Sequence, residues 1–116
     1  MTFLPEDKET RLQSYRNVLQ NWNVEGYIEF KERPAEWLRV ELAGYSLREI
    51  KRLLFEHVKQ GGKIDEVVET REDYTSFQFH YDLRIPIEGR RIYFETILLC
   101  EDANDFTIRV VSVKDG

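Results

Sequence analysis

The chain has 116 residues, of which 41% are apolar, 34% charged and 13% aromatic, which is enough for one packed core and too little for two domains. Six glycines and three prolines exclude a collagenous or Pro/Gly-rich disordered chain. Seventeen basic against 22 acidic residues leave a net charge of -5 and a pI near 5.1, the wrong sign for a protein that coats nucleic acid, so RNA is a disfavoured partner.

Pro5 is placed as a first-turn residue, and Leu12, Tyr15, Val18, Leu19 and Trp22 then recur at spacings of three and four, one apolar stripe of a helix. After Asn23 the period becomes two. Trp22, Val24, Ile28 and Phe30 would share one face of a short strand, with Gly26 marking a bulge. Pro34 opens a second helix whose Ala35, Leu38 and Leu42 share a side and which Gly44 ends. Ser46-Leu47-Arg48-Glu49 is a capping box, in which the hydroxyl accepts from the Glu49 amide while the Glu49 carboxylate reaches back to the Ser46 amide. The helix it starts carries Ile50, Leu53, Leu54, His57 and Val58 on one stripe and stops at Gly61-Gly62.

Everything after Gly62 has β character. Ile64, Val67 and Val68 suggest a strand, and Phe77, Phe79, Tyr81, Leu83 and Ile85 alternate with Ser76, Gln78, His80, Asp82 and Arg84, one face buried and one wet. Pro86-Ile87-Glu88-Gly89 reads as a four-residue turn. Arg90 to Cys100 returns with Ile92, Phe94, Thr96, Leu98 and Cys100 facing one way, Glu101 to Asp105 forms a polar loop, and Phe106 to Val113 is the last strand, aliphatic on both faces. The order predicts a single α+β domain over 1–116, a two-layer fold with N-terminal helices packed on one face of a mainly antiparallel sheet.

The lone Cys100 cannot form an intrachain disulfide, and Met1 to Arg11 carry acidic side chains where a secretory signal needs a basic start and an apolar run, so a cytoplasmic location is expected. The longest apolar run, Ile97 to Cys100, is far short of the roughly 20 residues of a membrane helix, so no membrane partner is expected.

The turn at 86–89, read as a loop pairing Ile85 with Arg90, sets a register. Phe79 then faces Thr96, Tyr81 faces Phe94 and Leu83 faces Ile92 on the core side. On the other side His80 faces Glu95 and Asp82 faces Tyr93. If Cys100 pairs with Phe106, Arg109 falls diagonally beside Glu95. An imidazole, a carboxylate and a guanidinium on one sheet face, with Arg91, Tyr93 and Gln78 near, form the set that metal-independent RNA cleavage needs. Glu95 would take the 2′-hydroxyl proton, His80 would protonate the leaving oxygen, and Arg109 or Arg91 would stabilise the phosphorane. The bland alternative is a wet sheet face with an ordinary His–Glu pair, worth about 0.2 to 1 kcal/mol.

The remaining residues give less. His57 lies on the apolar stripe of its helix and reads as core edge; Glu49 and Glu56 read as solvated helix faces. Two His and one Cys leave no zinc spacing, and no phosphate-binding glycine loop or dinucleotide fingerprint occurs, so neither metal nor cofactor is expected. Cys100 beside Leu98 and Leu99 reads as a buried, inert thiol. Trp37 lies off the stripe of its helix, as core through another packing angle or as an exposed anchor for a partner.

The stretch Leu42-Ala43-Gly44-Tyr45-Ser46-Leu47-Arg48-Glu49-Ile50, with Gly89-Arg90-Arg91-Ile92-Tyr93 and Ile108-Arg109-Val110-Val111-Ser112-Val113-Lys114, resembles the Gly-x-Ser helix start and paired terminal strands of the small RelE-, BrnT- and MqsR-like ribonuclease toxins. The resemblance runs from Leu42 to Lys114. It implies the same two-layer architecture, and matching positions would make Gln78, Tyr93 and Lys114 catalytic. The preferred functional reading is a non-catalytic protein-interaction module of toxin-like fold, in which the edge of Phe106 to Val113 takes a partner strand or a second copy and Trp37 or Trp22 anchors it. The alternative is an RNA-cleaving enzyme of the mRNA-interferase type.

Overall fold

The described residues form three helices, two of which start with a side-chain cap. In helix α1, Lys8–Gln20, the cap is Asp7, whose carboxylate accepts from both the amide and the hydroxyl of Thr10 at 3.0 Å. Pro5 is therefore outside the helix rather than in its first turn, and its carbonyl instead accepts from the Arg11 guanidinium at 2.9 Å. The predicted stripe holds, since Leu12, Tyr15, Val18 and Leu19 are all buried. Helix α2, Glu32–Glu41, has no side-chain cap at Lys31 and buries Ala35 and Leu38, with Leu42 as its closing residue. Helix α3, Leu47–Lys59, starts with the capping box at Ser46 and Glu49. It ends as expected: Gly61, at φ +93°, donates to the Val58 carbonyl at 3.0 Å and Gly62 to the His57 carbonyl at 2.8 Å. The molecule, a computed structural model, is described for residues 4–71, 78–102 and 105–116, with 101 and 102 given by backbone alone. Phe77 and Ser76 of the expected alternation lie outside the described residues.

The described residues also form five strands: β1 Ile28–Phe30, β2 Asp65–Val68, β3 Phe79–Ile87, β4 Arg90–Asp102 and β5 Asp105–Asp115. Their order in the sheet is β1-β5-β4-β3-β2, antiparallel throughout except that β1 runs parallel to β5. This is the α+β arrangement expected from the chain order. The first strand is shorter than its alternation suggests, because Trp22 and Val24 lie in turns and Gly26, at φ +95°, belongs to those turns and not to a bulge. Likewise the polar loop after Cys100 is shorter than 101–105, since β4 and β5 extend to Asp102 and Asp105.

The hairpin between β3 and β4 corrects the expected register. Glu88 and Gly89 both have positive φ, +52° and +76°, and Ile87 pairs with Arg90, so the reversal takes two residues in a turn of type I′ and Pro86 is a strand residue. The pairing slides by two positions. Tyr81 faces Thr96, Leu83 faces Phe94 and Ile85 faces Ile92 on the core side, while Asp82 faces Glu95 and Arg84 faces Tyr93 on the other. A slide of two preserves which face each side chain occupies, so the core is as predicted although every partner differs.

Between β4 and β5 the expected Cys100–Phe106 pairing is present, but a bulge intervenes: Thr96 pairs with Val110 and Glu95 with Ser112, leaving Val111 as the extra residue. Its cause is visible in the spacing of the core positions. Ile108, Val110 and Val113 all join the core, at intervals of two and then three, and only an inserted residue lets one strand do that. Beyond the bulge, Ser112 and Lys114 therefore share the face of Glu95 and Tyr93.

The helices cover one face of the sheet. Tyr15 of α1 and Tyr81 of β3 stack with ring centroids 5.2 Å apart, each fully buried, and burial of side chains this large contributes about 2 to 3 kcal/mol apiece. The Tyr15 hydroxyl meets the Thr96 hydroxyl at 2.7 Å, and Thr96 donates onward to the Tyr81 carbonyl at 2.7 Å, so these buried oxygens are satisfied. Arg11 holds α1 to the edge strand β2 by two bonds to Glu66, at 2.8 and 2.9 Å, and Tyr81 donates to the same carboxylate at 2.8 Å.

Candidate functional site

The face of the sheet turned away from the helices carries most of the residues expected to be chemical. His80 does not face Glu95. Its Nδ1 lies 2.8 Å from Asp82 Oδ1, two residues along the same strand, as alternate residues on one pleated face allow. Asp82 takes the place opposite Glu95. Burial, with the Asp82 carboxylate beside it, pushes the Tyr93 phenol up. The Tyr93 ring also lies 5.0 Å from the Arg84 guanidinium and 5.4 Å from Lys114 Nζ.

Glu95 is met by a residue the register argument did not include. Arg71, from the segment after β2, binds the Glu95 carboxylate and also both oxygens of Glu69, at 2.8 Å each. These bonds hold the Glu69 carboxyl down at about 2. Arg109 is not beside Glu95. It pairs with Ile97 across β4 and binds Glu29 of β1 at 2.6 Å, because the parallel strand β1 sets Glu29 directly against it. Arg91 is exposed opposite Pro86. Gln78 is exposed, its carbonyl accepting from the Glu69 amide at 2.9 Å. Thus His80, Tyr93 and Glu95 share a face, whereas Arg109 is drawn to the sheet edge. The carboxylate meant to act as base is held by a guanidinium, and the imidazole is held by a second carboxylate.

His57 is half-buried at the end of α3, where burial lowers its pKa. Cys100 is buried. Trp37 is half-buried against the core with the Arg90 guanidinium 5.6 Å from its ring. Arg90 in turn binds Asp115 at 3.0 and 2.9 Å and Glu41 at 3.0 Å, tying the hairpin, the end of β5 and the end of α2 together. Among the described residues no group of His, Cys, Asp and Glu is placed to hold a metal ion, and no helix is long and apolar enough to cross a membrane.

A second feature lies at the outer side of β5. β1 covers only Ile108 to Val110 of its neighbour, so the expected open edge from Phe106 is in fact closed over those residues. The Lys31 amide then donates to the Val110 carbonyl at 3.0 Å and the chain turns into α2. From Val111 to Asp115 no described strand pairs with that side of β5. Helix α2 packs against β5 along this stretch, and residues of both line a groove of about 1000 Å³. Its walls include Lys31, Arg33, Trp37 and Val40 from the helix side and Ser112 and Lys114 from the strand side, with the Arg71–Glu95 pair bordering it. Val40 is 64% exposed. The groove follows from three structural facts: a three-residue β1, an eleven-residue β5, and a bulge in β5 where β1 stops. Compared with family models, with curated proteins and with solved structures, the chain matches none.

Proposed function

We propose that the protein is a non-catalytic interaction module, cytoplasmic and of toxin-like fold, that accepts an extended segment of a partner protein along Val111–Asp115 of β5. The observation that carries this reading is the stretch of β5 that no described strand pairs on its outer side, beside a groove of about 1000 Å³. A strand edge offers a row of backbone donors and acceptors, and an added strand satisfies them while its alternate side chains enter flanking pockets. At about 3.4 Å per residue the stretch accommodates a segment of about five residues.

The RNA-cleaving alternative draws support from one contact, the 2.8 Å approach of Asp82 to His80 Nδ1, which would orient an imidazole for proton transfer. It is the weaker reading, because Glu95 is bound to Arg71 and Arg109 to Glu29, so the base and one of the two candidate phosphate-binding groups are engaged.

Selection of displayed random heptapeptides on the immobilised full chain, followed by amide-shift mapping of the enriched sequences, tests the module. Shifts are expected at Val111–Asp115, with binding lost in Ser112→Trp, which fills the groove. No enrichment, or shifts confined to another surface, would overturn the reading. So would RNA cleavage by the purified chain that disappears in His80→Ala.

A further inference from the structure

We draw no further inference here: the strongest candidate, the outer edge of strand β2 with its exposed Val67 and Val68, carries nothing because nothing in the structure shows what covers it.

Discussion

Asp82 on β3 and Glu95 on β4 stand directly opposite one another, and both are nearly out of solvent, 5% and 7% exposed. Two facing carboxylates repel, and each is answered by its own partner, Asp82 by His80 and Glu95 by Arg71. Removing the guanidinium leaves Glu95 buried and facing Asp82 without compensation. Arg71→Gln is therefore expected to cost about 1 to 3 kcal/mol in urea unfolding, and Arg71→Gln with Glu95→Gln should recover most of that loss. A double variant no more stable than the single one would show that Arg71 acts through packing and not through charge.

Arg11 and Glu66 form the other buried pair, 9% and 5% exposed at their side chains, and they join α1 to β2. The Arg11 bond, with a smaller one from Tyr81, holds the Glu66 carboxyl below its ordinary 4.5. A lowered folded-state pKa means that the unfolded chain takes up the proton first, so this stabilisation is complete above 4.5 and is lost as the pH falls through the folded-state value. Unfolding midpoints of the native chain should drop more steeply between about pH 5 and pH 3 than those of Glu66→Gln. Parallel curves for the two proteins would remove Glu66 from the acid response. Arg11→Met, which strands the carboxylate, should cost about 3 kcal/mol at neutral pH.

The reversal at Glu88-Gly89 places a non-glycine residue at φ +52°. Asparagine adopts that backbone region more readily than glutamate, and Asn-Gly is the preferred pair for a turn of type I′. Glu88→Asn is expected to raise stability by about 0.5 to 1 kcal/mol and Gly89→Ala, at φ +76°, to lower it by about 1 kcal/mol or more. Thermal unfolding of the two variants checks both signs, and a destabilised Glu88→Asn would mean that the Glu88 side chain contributes more than its backbone strain.

That turn also explains which parts of the molecule were legible in the chain. Faces follow from alternation, so the core positions Tyr81, Leu83, Ile85, Ile92 and Phe94 were readable whatever the register. Partners follow from the turn, and Pro86-Ile87-Glu88-Gly89 reads as a four-residue loop, whereas the two-residue turn needs Glu88 at φ +52°. The capping box at Ser46 and the Gly61-Gly62 stop were readable because their hydrogen bonds lie within six residues. Arg71 with Glu95, 24 residues apart, and Arg109 with Glu29, 80 apart, depend on strand order and on β1 joining the far edge in parallel, which no local pattern encodes. His80 with Asp82 was within reach of the reasoning, since residues two apart on a strand share a face.

Gly62 closes α3 at a point where there is no room for a side chain. A Cβ at this position would fall 2.3 Å from His57 Nε2 and 2.5 Å from the His57 carbonyl oxygen, and the same carbonyl accepts the Gly62 amide at 2.8 Å. The imidazole can swing aside, but the carbonyl cannot without giving up the helix-closing bond. Gly62→Ala should therefore destabilise the fold by about 1 to 3 kcal/mol, and His57→Ala combined with it should restore only part of the loss, because the backbone conflict persists. Full rescue in the double variant, measured by urea unfolding, would assign the whole cost to the ring. No rescue at all would assign it to the carbonyl and to the closing turn between α3 and β2.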